Sequence, residues 1–318
     1  MNSNKVILLF GMPRSGTTWI GKLFDSHKDT NYLHEPDSVE PDYKIPLLLD
    51  KGDNDENQLE ENIYKWLQPT AHKVIASRPF FKKSYMGRWQ WLLFLFSAYI
   101  GKACLKLHIP ILKKPIRLHD KLPVTVWKSI ESLGRMPAIQ TITGAKSIHI
   151  IRHPCGQIAS TLRGESMHEF DGSIVTSDDW SLFEKLLKQS GEKRFSLNDI
   201  KDMYPEERLA VRWGLMNDHA LHKVGNNQSI VLIYEDLCRK PKEKIFELFG
   251  QVGLNVEKET LKYLANSIRE DDSSYYSTTK SPLIAAYKWK EELTSEKQNR
   301  ILEIVKQFDS GRFYLNDF

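Results

Sequence analysis

Apolar residues along this 318-residue chain recur with two different periods, and the order in which the periods alternate lays out the fold. Lys5 to Phe10 is a continuous apolar run, which suits a strand buried on both faces of a parallel sheet. It stops at Gly11. Trp19, Ile20, Leu23 and Phe24 then fall on one helix face, so the opening order is strand, tight loop, helix. Asn31 to Leu33 is a short second strand ending at His34-Glu35-Pro36, and residues 50 to 62 are polar and acidic enough for a solvated loop running into a surface helix. Val124 to Lys128 alternates β-branched residues as a strand does, Ser147 to Arg152 is another apolar strand, and Ser229 to Tyr234 is the last. Helices are expected over Asp179 to Gln189, over Pro205 to Val224 with Leu209, Arg212, Trp213 and Met216 inward, and from about Ser295 to Phe308. A further amphipathic helix places Ile245, Phe246, Leu248, Phe249 and Val252 on one face and closes at Gly253.

Two stretches depart from this rhythm. Residues 80 to 120 hold a dense block (Trp89, Trp91, Leu92, Leu93, Phe94, Leu95, Phe96, Tyr99, Ile100) with basic residues before and after it, from Lys82 to Arg117. The block is too short to cross a bilayer. It reads either as a helix lying on anionic lipid through residues 82–117 or, the favoured reading, as a helix packed on the sheet or lining a substrate groove. Residues 164 to 204 carry Gly-punctuated polar stretches around one helix and read as a lid.

Composition narrows the class only a little. The 45 Lys+Arg against 41 Asp+Glu leave a net charge of +4, too small to make nucleic acid the expected partner. Cys104, Cys155 and Cys238 are scattered, which argues for a reducing compartment and against a disulfide or zinc framework. The early apolar run is too short for a signal peptide. With Met1 as the start, the expectation is a cytoplasmic, bacterial protein, at the inner membrane surface if the 82–117 block meets lipid. A chain of this length in this α/β rhythm is expected to form a single domain over 1–318, with insertions at about 80–120 and 164–204.

The candidate chemistry begins in the loop Gly11-Met-Pro-Arg14-Ser15-Gly16-Thr17-Thr18. A glycine loop between a buried strand and a helix turns successive backbone N–H groups toward one point at a positive helix end, which makes a phosphate site. Gly11 and Gly16 keep the Walker-loop spacing, but Thr17 stands where that loop carries its lysine, and the cation has moved to Arg14. In the second segment, Arg152 ends a strand, Pro154 suits the first turn of a helix, and Ser160 and Arg163 share a helix face at i, i+3. Glu35 falls at the carboxyl edge of the sheet, where ligands of doubly wound folds bind.

Pro13-Arg14-Ser15-Gly16-Thr17-Thr18 followed by an apolar helix resembles the 5′-phosphosulfate loop of the sulfotransferases, of the carbohydrate and tyrosyl-protein type and of bacterial stand-alone enzymes. Arg152 with Ser160 eight residues later resembles the same family's 3′-phosphate segment. The resemblance implies a P-loop-type doubly wound parallel sheet flanked by helices, with helical insertions serving as acceptor groove or lid. It also implies the sulfuryl donor 3′-phosphoadenosine 5′-phosphosulfate (PAPS), with PAP as product. It casts Arg14, Ser15, Gly16, Thr17 and Thr18 as the 5′ site, Trp19 as an adenine-stacking residue or else a core residue of the helix, and Arg152, Ser160 and Arg163 as the 3′ site. Ser277, Thr279 and Lys280 stand where the family closes a segment over the nucleotide. Lys128 matches the strand-end lysine aimed at the sulfuryl group, Glu35 is the implied general base, and Tyr234-Glu235-Asp236-Leu237 is structural. His34, whose reference pKa near 6.5 is closer to neutrality than the 4.3 of glutamate, is the alternative base.

A sulfuryl end carries one charge and no Asp stands as a Walker-type metal ligand, so no metal is expected. The expected partner is a hydroxyl-bearing acceptor, carbohydrate or glycan/lipid-linked. Two other readings stay open at this point, a small-molecule kinase using ATP and a non-catalytic protein that binds an adenine nucleotide.

Overall fold

The computed structural model describes residues 6–50, 52–69, 71–106, 123–167, 176–222, 229–269 and 282–317. Ser277, Thr279, Lys280 and the basic residues Lys113, Lys114 and Arg117 lie outside the described residues.

Five parallel strands form one sheet: β1 (Val6–Gly11), β2 (Thr30–His34), β3 (Val124–Ser129), β4 (Lys146–Ile151) and β5 (Ser229–Ile233), in the order β2-β3-β1-β4-β5. All their carboxyl ends therefore share one edge, and the order reverses on either side of β1. Ligands of open α/β sheets bind at such a reversal.

All six residues of β1 are buried because the sheet is covered on both faces. Leu8, Phe10 and Trp127 point to one layer, where they meet Trp66, Ile139, Ile158, Trp213, Ile301 and Phe308. Ile7, Leu9, Val126 and Ile150 point to the other, against Ile20, Phe24, Leu248, Phe249 and Leu264. The first layer holds the helices Glu56–Leu67, Met136–Thr143, Pro154–Ser166, Pro205–His222 and Ser295–Val305; the second holds Thr17–Asp25, Pro241–Gln251 and Lys258–Arg269. The amphipathic helix expected after β5 begins at Pro241 and buries Ile245, Leu248 and Phe249, but Phe246 is 54% exposed and not on its inner face.

The aromatic block forms the helix Arg88–Lys106. It packs in a cluster of its own and not on the sheet, which was one of the two arrangements in the favoured reading. Its inner side, with Trp91, Phe94 and Leu95, meets a separate cluster of Ile75, Phe80, Tyr85 and Met86, while Trp89, Leu92, Leu93, Phe96 and Ile100 are exposed. This subdomain is tied to the first helix by buried charge: Lys22 donates to Asp25 (2.8 Å) and to the carbonyls of Ser77 (2.5 Å) and Pro79 (3.2 Å), and Lys83 reaches the other Asp25 oxygen at 3.0 Å. Among the described residues no helix is long and apolar enough to cross a membrane.

Candidate active site

The loop after β1 is shaped by backbone. Gly16 adopts a left-handed conformation (φ 86°) at the start of the helix Thr17–Asp25, and no side chain caps that helix. Any Cβ at Gly16 would stand 2.3 Å from the Tyr234 ring, and one at Gly11 would stand 2.7 Å from Ser15 Oγ and 2.8 Å from the Ile150 carbonyl, so both glycines are sterically fixed. Arg14 is also left-handed (φ 70°), a conformation that costs a non-glycine residue energy and that the surroundings must impose. They do so with three tethers. Ser15 Oγ donates to the Met12 carbonyl (2.6 Å), Gln157 Nε2 to the Pro13 carbonyl (2.9 Å), and Arg152 Nη1 to the Arg14 carbonyl (2.8 Å). An uncapped helix start beneath a clamped loop is an anion cradle.

The Arg152–Arg163 segment meets this loop directly. The helix Pro154–Ser166 presents Ser160, whose Oγ accepts from Arg14 Nε at 3.0 Å and lies 3.5 Å from Arg163 Nη2. Arg14, Ser160 and Arg163 thus converge from two elements, and Arg163 is further paired with Glu292. Arg152 is placed differently from a free phosphate ligand. Its Nη2 donates to the Ala285 carbonyl at 2.6 Å and its guanidinium lies over the Tyr234 ring at 5.1 Å, so it braces the loop from behind. Tyr234 and Glu235, expected to be structural, serve the same brace: Glu235 accepts from His153 N and from the Tyr314 hydroxyl, each at 3.1 Å. Trp19 is buried (6% exposed), donates from Nε1 to Ser267 Oγ at 2.9 Å and stands edge-on to Tyr234, the environment of a core residue. Thr17 is buried and Thr18 half-buried at the head of the same helix.

At the other side of the reversal, β2 and β3 bring a charged pair together. The register sets His34 beside Lys128, and the Glu35 amide donates to the Lys128 carbonyl at 2.9 Å. Lys128 is no solvated strand end: it is 1% exposed, and its ammonium bonds the Glu35 carboxylate. Burial works to raise the Glu35 carboxyl, but the charge and hydrogen bond of Lys128, with His34 and Lys73, together outweigh it and hold the pKa down to about 2. His34, its Nδ1 2.8 Å from the Tyr32 hydroxyl, is pushed down to about 3 by burial and then by the Lys128 charge. The reference value that made His34 attractive as a base does not survive this environment; the ring is neutral and weakly basic.

Glu35 has a left-handed backbone (φ 51°), and the next turn explains how it is kept. Asp37 is fully buried and accepts from Ser129 Oγ, from Ser132 Oγ at 2.6 Å and from Trp127 Nε1 at 3.3 Å, which pins the turn after β2 to the end of β3. Glu131, in the turn after β3, is raised to about 7 by burial and by the negative charges of Asp37 and Glu35, against the opposing pull of Arg212. Neither Asp37 nor Glu131 was singled out from sequence. No spacing marks them, since both owe their character to burial.

A family model described as "Sulfotransferase family" matches residues 7–258, most of the chain. Among curated proteins, human carbohydrate sulfotransferase 1 is 23% identical over 95% of this chain and 78% of its own length. The mouse protein of the same name is 22% identical with the same coverage. Among solved structures, the sulfotransferase domain of the Synechococcus PCC 7002 olefin synthase aligns over 95% of this chain and 93% of that one at 15% identity, with a TM-score of 0.45. Mouse sulfotransferase SULT7A1 complexed with PAP aligns over 97% and 87% at 12% identity, with a TM-score of 0.44. With a family match running from β1 past β5, and both phosphate segments meeting at the sheet's reversal, the chain belongs to the sulfotransferase family and is a PAPS-dependent sulfotransferase.

Proposed function

We propose that this chain works as one domain that transfers a sulfuryl group in line from PAPS to an acceptor hydroxyl, carbohydrate or glycan/lipid-linked, with Glu35 as general base. The observation that carries the reading is the buried Lys128–Glu35 pair, set by strand register at the edge where the phosphate loop also lies.

The residues present suit the nucleotide. The uncapped helix start at Gly16, the N–H groups of residues 15–18 and Arg14 would hold the 5′-phosphate, and Ser160 and Arg163 would hold the 3′-phosphate, with Arg152 bracing the loop from behind. Bound PAPS supplies a sulfuryl group on a phosphate leaving group. As the new S–O bond forms at the acceptor oxygen, the bond to the bridging oxygen breaks and its electron pair stays on the phosphate. The acceptor proton goes to Glu35. Positioned donors stabilise the charge that grows on the departing oxygen, and Lys128 and Arg14 are the cations at hand.

Glu35 is ionised, as a base must be, but while it faces Lys128 it holds a proton weakly. Lys128 turning its ammonium toward the sulfuryl oxygens would leave the carboxylate buried with less compensating charge, and its proton affinity would rise at the step that needs it.

General-base catalysis is typically worth about 10²–10⁴-fold. Glu35→Gln is therefore expected to lower turnover on saccharide acceptors by that order, measured as PAP release, while PAP affinity by calorimetry stays nearly unchanged. His34→Ala should do less. Near-normal turnover in the Gln variant together with abolished turnover in His34→Ala would transfer the base to His34 and overturn this mechanism.

A further inference from the structure

The outer face of the helix Arg88–Lys106 takes no part in the site just described. Trp89, Leu92, Leu93, Phe96 and Ile100 follow one another at three- and four-residue steps and so form one continuous stripe. Every one of them is exposed, Trp89 by 78% and Phe96 by 66%. A contiguous apolar stripe of this kind on a soluble surface marks a contact yet to be made.

The charge around it says with what. Residues 71–119 contain ten of the chain's 45 Lys+Arg and none of its 41 Asp+Glu, which leaves 35 against 41, a net −6, for the rest. The segment that carries this helix is thus basic in a chain that is nearly neutral as a whole. Lys73, Arg78, Lys82, Arg88 and Lys102 are all exposed. Lys83, the described exception, is buried against Asp25 and anchors the platform on which the helix sits.

We propose that this face is an in-plane docking surface for an anionic lipid bilayer. An apolar stripe carrying Trp and Phe, in a segment that holds basic residues and no Asp or Glu, is the arrangement by which a surface helix enters the headgroup region. The helix cannot span the bilayer, so contact is lateral. A second copy of the chain is the poorer occupant, because a two-fold contact through this face would press two strongly basic segments together. Nucleic acid would meet the charge but would leave the apolar stripe in water. The platform ends beside the catalytic edge: the helix His72–Ile75 packs on β2, and the charge of Lys73 is felt at both His34 and Glu35. A bilayer on this face would thus lie on the β2 side of the molecule, away from the phosphate segment of β4.

The test is co-sedimentation of the full chain with vesicles of phosphatidylcholine alone and of phosphatidylcholine with phosphatidylglycerol. The wild type should partition to the anionic vesicles at least about ten-fold more strongly than to neutral ones, and added salt should weaken it. The double variant Leu93→Glu/Phe96→Glu should lose about ten-fold or more of this binding, because it places charge where the stripe enters the headgroups. Both side chains are exposed, so melting temperature and PAP affinity should not change, and Lys102→Glu should give a smaller loss. Equal partitioning of the wild type to both vesicles, or undiminished binding by the double variant, would overturn the proposal. So would a dimer in sedimentation velocity that the double variant dissolves while vesicle binding is absent, since a second copy would then cover the face.

Discussion

The two halves of the sheet's carboxyl edge are built on opposite principles. Around β1 and β4 the chain builds its candidate anion site out of backbone, with an uncapped helix start, two sterically fixed glycines and carbonyls tethered by Ser15, Gln157 and Arg152. Around β2 and β3 it builds its candidate reactive site out of buried ionisable groups: Glu35, Lys128, His34, Asp37 and Glu131 all lie within one turn of the strand ends. The first kind of site needs the right shape and is nearly indifferent to pH. The second needs its charges balanced and fails when one is removed.

The largest effect should come from unbalancing the pair. Removing one partner of a buried ion pair typically costs about 3–5 kcal/mol, because the other charge is left without compensation. Lys128→Met should therefore destabilise the fold by that order in denaturant unfolding, and the double variant Lys128→Met/Glu35→Gln should recover much of the loss. A single variant as stable as the wild type would mean that the pair is not buried in solution.

Acid should act next, and on the same principle. His34 and His153 are held down to about 3 and His149 to about 4, in each case by burial first. Each is neutral in the folded chain but titrates near 6.5 when unfolded, so the unfolded state gains protons as pH falls below 6.5 and the folded state does not. Stability should therefore drop between pH 7 and 5, by at most about 2 kcal/mol for each histidine, out of a typical total of about 5–15. Melting temperature against pH reads this slope. His149→Gln, which keeps a hydrogen-bonding group against Asn217, should flatten it.

The backbone site should respond more mildly and without pH dependence. Gly16→Ala places a Cβ against the Tyr234 ring and forces alanine into a left-handed conformation that costs about 1–2 kcal/mol. The expected result is a rise of about ten-fold or more in the PAP dissociation constant by calorimetry, which corresponds to about 1.4 kcal/mol. Unchanged affinity would show that the loop tolerates another shape.

The same contrast explains which parts were legible in the sequence. Gly11, Arg14, Gly16, Ser160 and Arg163 announce themselves because their geometry is local: fixed spacings in or just before helices that follow apolar strands. The strands were legible for a similar reason, since each is a short apolar run. Lys128 could be found only as a strand end, and nothing in the residues around it told that it would be 1% exposed and paired with Glu35. Asp37 and Glu131 carry no spacing signal at all. The block at 88–106 was visible as apolar, but which of its sides faced the protein depended on the residues 75–86 that pack against it, and periodicity does not name a helix's partner.

Arg152 touches the carbonyls of residue 14 and residue 285, which lie far apart in the sequence. The loop after β1 is thus made well before the helix Pro282–Tyr287, which supplies the far anchor of its rear brace. Nascent or truncated chains that stop before that helix carry the whole loop motif yet lack the part that holds it open for an anion. A donor analogue on an affinity column is therefore expected to retain chains that include Pro282–Tyr287 better than chains cut before it.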